Sequence, residues 1–194
     1  TTSNLGGNTG WDLGAFTAVW ISTGTNPADD DWDVTANWQD GNLPIATSVV
    51  TMDVNATTSP DDNFSGLGFS TLGGLTMAAT AGLTAEFDIA VTINGNVAIG
   101  AGHTVVSDGL GLTITGLCSG AGTLDADLRN ATSVAITNGL TVNTYSHDTA
   151  ATTLTLNGGN WSGTSNFGTV VLGGTVTPGS DLTVNSLDLG SNSF

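Results

Sequence analysis

Basic side chains are nearly missing from this sequence. Arg129 is the single Lys or Arg against 17 acidic residues, which leaves a formal charge of -16 at pH 7. Only 9% of residues are charged, against roughly 25% in an ordinary domain, so the imbalance comes from absent bases and not from a surplus of acids. Such a surface has no cationic patch for a phosphate backbone or an anionic lipid, and nucleic-acid binding is excluded. Cysteine is as scarce: Cys118 stands alone, so no intrachain disulfide can form, and the expectation is a small buried hydrophobe rather than a reactive or intermolecular thiol. Long apolar runs are missing too. None approaches the roughly 20 residues that span a bilayer, so membrane insertion is not expected. The first residue is Thr1 and no charged-then-apolar leader is visible in the sequence. The expectation is a secreted, extracellular or cell-surface protein whose signal has been removed.

Helix formers are scarce as well, with Glu86 the one glutamate and no lysine. Gly or β-branched residues interrupt nearly every window, so no segment holds a helical period. What is present instead is a repeated triplet of apolar residue, Thr, apolar residue. It occurs at Leu75-Thr76-Met77, Val91-Thr92-Ile93, Leu112-Thr113-Ile114, Leu140-Thr141-Val142, Leu154-Thr155-Leu156 and Leu182-Thr183-Val184. Each triplet turns two apolar side chains inward and a hydroxyl outward. Turn signals separate them, among them Gly73-Gly74, Asn94-Gly95-Asn96, Gly100-Ala101-Gly102, Gly120-Ala121-Gly122 and Gly173-Gly174. Strands this short leave two all-β architectures, a β-solenoid and a β-sandwich or jelly roll. A sandwich calls for longer strands and charged outward positions that guard its edges. Outward Thr, Ser and Asn suit a solenoid, whose coils stack at about 4.8 Å so that like residues form ladders.

Residues 1–70 differ in composition from residues 71–194. Trp11, Trp20, Trp32 and Trp38 fall in the first part with three of the four prolines, and only Trp161 lies beyond. The expected organisation is a Trp-rich N-terminal cap with first coils over 1–70, followed by Gly/Thr/Asn-rich solenoid rungs over 71–194. A subunit interface and a glycan-binding platform are the rival readings of the tryptophans.

Chemistry has few candidates. Cleavage of acidic polysaccharides needs cations that this chain lacks. The carboxylate pairs Asp61 with Asp62 and Asp125 with Asp127 mark no cleft, and His103 and His147 sit in turns with no nucleophile motif nearby. The sequence therefore points away from an enzyme, and no cofactor is expected apart from a possible Ca²⁺. Asp29, Asp31 and Asp33 alternate in an acidic loop and supply the hard oxygen ligands that Ca²⁺ takes, without the glycine and distal glutamate of an EF-hand. Four Asn-x-Ser/Thr sequons, at Asn55, Asn63, Asn130 and Asn160, are candidate glycosylation sites.

The stretch Trp32-Asp33-Val34-Thr35-Ala36-Asn37-Trp38-Gln39-Asp40-Gly41-Asn42-Leu43-Pro44, with the alternating strand Ser48-Val49-Val50-Thr51-Met52-Asp53 after it, resembles the opening coil of autotransporter-type bacterial surface β-helix proteins. Later phrases are similar to their rungs, as in 112–124 and in Gly173-Gly174-Thr175-Val176-Thr177-Pro178-Gly179. The family's membrane β-barrel has no counterpart in these residues. The resemblance implies a right-handed β-helix displayed outside a bacterial-type cell for adhesion or as a surface coat. The resulting expectation is an extracellular structural subunit that polymerises head to tail into a filament, fibre or surface layer. Contacts are expected at Leu182, Val184, Leu187, Leu189 and Phe194 on one end and at Phe16, Val19 and Trp20 on the other. An adhesin module that grips glycans is the alternative.

Overall fold

A computed structural model describes residues 16–24, 29–60, 63–107, 111–125, 133–136, 140–146, 153–156, 159–164, 166–172, 176–178 and 183–188. Its strands are β1 (Thr17–Trp20), β2 (Val49–Met52), β3 (Thr71–Leu72), β4 (Gly74–Met77), β5 (Thr84–Phe87), β6 (Val91–Ile93), β7 (Val97–Ile99), β8 (Thr104–Ser107), β9 (Gly111–Ile114), β10 (Cys118–Asp125), β11 (Ser133–Ile136), β12 (Leu140–Ser146), β13 (Thr153–Leu156), β14 (Gly159–Thr164), β15 (Asn166–Leu172), β16 (Val176–Pro178) and β17 (Thr183–Asp188).

Strands of three or four residues expose too little surface to close a sandwich, but each can pair with the same segment of the next coil. All pairings between these strands are parallel, and none joins sequence neighbours except β1 with β2. One row runs β1-β2-β4-β7-β10-β12-β14-β16, a second runs β3-β6-β9-β11-β13-β15-β17, and β5 and β8 form a third that joins β10. This is a β-solenoid, and the sandwich alternative is set aside because its hairpin pairs do not occur among these strands. Three successive coils, β4-β5-β6, β7-β8-β9 and β10-β11, carry all of the rows. Val97 pairs with Cys118 and Cys118 with Leu140, a coil of 21 or 22 residues. Thr153 pairs with Thr169 and Thr169 with Ser186, so the later coils tighten to 16 or 17.

The core is built from the inward apolar residues of the strands, the triplets' members among them. Val50, Leu75, Val97, Cys118 and Leu140 stand in one inward rank, and Leu72, Ile93, Ile114 and Ile136 in another. All nine are buried, and each such aliphatic side chain contributes on the order of 1.5–3 kcal/mol by leaving water. Outward positions carry hydroxyls in register. Thr84, Thr104 and Thr123 stand in one half-buried rank, and the backbone register continues it through Thr144 and Thr164, a pattern that favours parallel in-register pairing.

Corners need close backbone approach. Gly73, Gly95 and Gly116 stack over one another, and a Cβ on Gly95 would overlap the Gly73 carbonyl, as one on Gly116 would overlap Gly95. One expected corner is different. Gly120-Ala121-Gly122 lies inside β10, where the register shifts between Gly120 and Thr123. Gly120 takes φ 123°, a left-handed value open to glycine, and this bulge carries the chain from the β7 row to the β8 row without leaving the sheet.

Between β1 and β2 the chain makes two short 3-10 turns, Thr35–Asn37 and Gln39–Gly41, in place of strands. Trp20, Trp32 and Trp38 from this region are at most 1% exposed. Trp32 stacks on Phe87 at 5.5 Å between ring centroids and meets Phe64 edge-on at 5.1 Å, so its ring belongs to the same core as β5. All three indole N–H groups donate to carbonyls: Trp20 to Thr58 at 2.8 Å, Trp32 to Glu86 at 3.0 Å and Trp38 to Trp32 at 2.9 Å.

Candidate functional site

Two of the described acidic residues, Asp53 and Asp88, close turns. Asp53 Oδ1 accepts the Asn55 backbone N–H at 2.8 Å and its side-chain N–H at 3.1 Å. Asp88 accepts the Ser65 N–H at 2.8 Å and its hydroxyl at 2.5 Å, tying the Phe64–Leu67 turn to the coil above it. In the loop singled out for Ca²⁺, Asp31 offers its carbonyl to Asn37 Nδ2 at 2.9 Å, and the Asp33 carboxylate lies against Gly66, where a Cβ would overlap it. Among the described residues no group of three or more His, Cys, Asp or Glu side chains comes together to hold a metal ion. Asp125 stands on β10 in register with Val106 and Ser146. Asp61, Asp62, Asp127 and His147 lie outside the described residues.

Three ionisable groups are buried among the described residues: Cys118, His103 and Glu86. Cys118 occupies the inward rank of β10, and burial pushes its thiol up to about 12, so it is a neutral packing group at physiological pH and no nucleophile. His103 is 2% exposed at the corner between β7 and β8. Its Nδ1 accepts the Leu83 N–H at 3.0 Å and its Nε2 faces the Ala79 carbonyl at 3.0 Å. Its backbone N–H donates to Gly100 at 3.1 Å and its carbonyl accepts from Thr123 at 2.9 Å. One residue thus holds three successive coils. A turn context suggests a loop or ladder histidine, and its partners 20 and 24 positions away could be found only by knowing the coil length.

The tryptophan platform has no support in Trp20, Trp32 and Trp38, whose rings are inside. Trp11 lies outside the described residues, and Trp161 is placed only through its backbone, in register with Leu140 and Pro178. Of the sequons, Asn55 and Asn63 are exposed, Asn160 sits on β14 in register with Thr177, and Asn130 is outside the described residues. Of the expected assembly contacts, Val184 and Leu187 lie on β17, while Leu182, Leu189 and Phe194 are outside. At the other end Val19 is half-buried on the outer side of β1, Phe16 packs partly against the core, and Trp20 can reach a partner only through its backbone. Among the described strands β1 has one neighbour, as do β16 and β17.

Among the described residues no helix is long and apolar enough to cross a membrane. Comparison with protein-family models, with curated proteins and with solved structures gives no match to this chain.

Proposed function

We propose that the chain is a structural subunit of an extracellular assembly, a filament, fibre or surface layer built by adding coils of one copy to the end of another. The observation that carries this reading is the pair of strand rows with open ends: β1 at one extreme, met on its far side only at its last residue by the Trp20–Trp38 bridge and the Ile21 N–H to Asn37, and β16 with β17 at the other, have a described strand neighbour on one side alone. Such edges present unpaired N–H and C=O groups and recruit strands unless Lys, Pro or a covering element blocks them. No Lys is available to block either one, Pro178 at the end of β16 leaves β17 as the edge without a proline, and a contact between unlike ends propagates. Burial of Trp20, Trp32 and Trp38 removes the main support for the adhesin reading, in which exposed indoles grip sugars.

Negative-stain microscopy tests this with the wild type beside a Val19→Lys, Ser186→Lys double variant, which places charge on both edges. The expected result is elongated particles for the wild type and single-chain particles for the variant. Single-chain particles from the wild type at every salt and Ca²⁺ concentration would refute it.

A further inference from the structure

The acids are sorted to one side of the coil. In chain order, every step from β3, β6, β9, β11, β13 or β15 to the next strand is free of Asp and Glu. Most return steps carry one: Asp88 between β5 and β6, Asp108 between β8 and β9, Asp127 between β10 and β11, Asp148 between β12 and β13, and Asp181 between β16 and β17. Within the row from β1 to β16 the strands hold no acid except Asp125, which ends β10 where that strand has crossed to β8. The outward rank of this row runs Val19, Thr51, Thr76, Ala98 and Ser119, all half-buried, and the backbone register continues it to Thr141. Asp53, at the corner past β2, adjoins the face with its Oδ1 turned to the two Asn55 N–H groups, and Asp40 stands in the turn before β2. The exposed large hydrophobic side chains among the described residues, Ile45 at 41% and Val54 at 55%, lie just before and just after β2 of the same row. Small uncharged side chains in a flat rank, with apolar ones at its border, are what one sheet packs against in another.

We infer that this face joins two filaments of the chain side by side, the β1-to-β16 sheet of one copy lying on the same sheet of another; the inference rests on the end-to-end reading above. Charge selects the occupant. A cationic partner would go to the acid-bearing side, and an anionic one finds no cation here, whereas a second copy can approach through the face that lacks acids. With that face inside, the acid-bearing sides of two copies stand outermost, about three sheet spacings of about 10 Å apart, or about three Debye lengths at 0.1 M salt. The opposite arrangement sets the acid-bearing connections of copies that each carry -16 charges against one another. Size sets the strength. Eight strands at about 4.8 Å and three or four residues at about 3.3 Å cover about 450 Å² per copy, so a pair buries about 900 Å², below the roughly 1,200–2,000 Å² of stable complexes. One pair of copies therefore separates readily, while filaments that repeat the contact along their length stay together.

Mass per length of unstained filaments in scanning transmission electron microscopy reads the contact. A copy of 19.3 kDa advances about 38 Å over its eight strands in this row, so a filament one chain wide has about 0.5 kDa per Å and a pair about 1.0 kDa per Å. The expected result is the paired value for the wild type and half of it for Ala98→Glu, which puts a carboxylate in mid-row on β7 and leaves both end strands as they are. Thr76→Glu, in the same outward rank, repeats the test should that variant fold poorly. Thr92→Glu, outward on β6 in the other long row, should keep the paired value. Wild-type filaments one chain wide, paired filaments from both Ala98→Glu and Thr76→Glu, or a loss confined to Thr92→Glu would overturn the inference and leave the end-to-end reading standing. Single-chain particles from the wild type would refute both.

Discussion

Removal of the Trp32 side chain is the perturbation that bears most on how the first seventy residues relate to the coils. The ring contacts Trp20 at 6.1 Å, Trp38 at 5.8 Å, Phe64 at 5.1 Å and Phe87 at 5.5 Å, and its N–H donates to the Glu86 carbonyl. Trp32→Ala therefore empties a site lined by four aromatic rings, at a cost of about 3–5 kcal/mol. Trp32→Phe keeps most of the packing and loses the indole bond, at a cost of about 1–2 kcal/mol. With a urea slope of about 2 kcal/mol per molar, the alanine variant should unfold at a midpoint about 2 M lower. Far-ultraviolet circular dichroism follows the strands and amide exchange follows β5. Both should report the loss, because Phe87 ends β5 and shares the cavity. If exchange quickens in 29–48 alone while β5 and the urea midpoint stay at wild-type values, the continuity of the two cores is wrong.

Alkali should act through Cys118. Its thiol moves from 9.0 to about 12 on folding, so this contribution is intact below pH 9, where both states are protonated, and is lost as pH rises toward 12. At most it amounts to about 4 kcal/mol, and Cys118→Val should remove that part of the alkaline destabilisation in urea titrations at pH 8 and pH 11. Gly95→Ala should destabilise by about 1–3 kcal/mol, since its methyl would displace the Gly73 carbonyl; a thermal midpoint equal to wild type would show that the stacked corner relaxes freely. Assembly of copies that each carry -16 charges should weaken at low ionic strength with chelator and recover with salt or Ca²⁺. Light scattering that ignores both would place the contact away from the acids.

The coil was legible because its rule is local. Val91-Thr92-Ile93 becomes β6 and Leu75-Thr76-Met77 falls within β4, each with its apolar members inward, since a triplet between corners can bury one face only. Gly73 and Gly95 mark corners for the same reason. Gly120-Ala121-Gly122 has the same composition and yet stays within a strand, because a bulge draws on glycine's left-handed backbone at Gly120 while the stacked corners draw on its missing Cβ. What the sequence hides is whatever depends on coil length. The threonine rank from Thr84 to Thr164 spans strands whose local motifs differ, and His103 finds Leu83 and Ala79 only after one full coil. Nor does tryptophan content distinguish a buried cluster from an exposed platform. The three indole bonds that settle Trp20, Trp32 and Trp38 inside depend on carbonyls as far as 54 positions away.

Copies that extend one another's strand rows must stack with the same spacing inside and between subunits. X-ray diffraction from an oriented concentrate of the purified protein measures that spacing directly. The account predicts elongated material with a reflection along the long axis at about 4.8 Å, the distance between parallel strands that lie across it. Material that stays as single chains under all conditions, or assembles with its strands along the long axis, would contradict it.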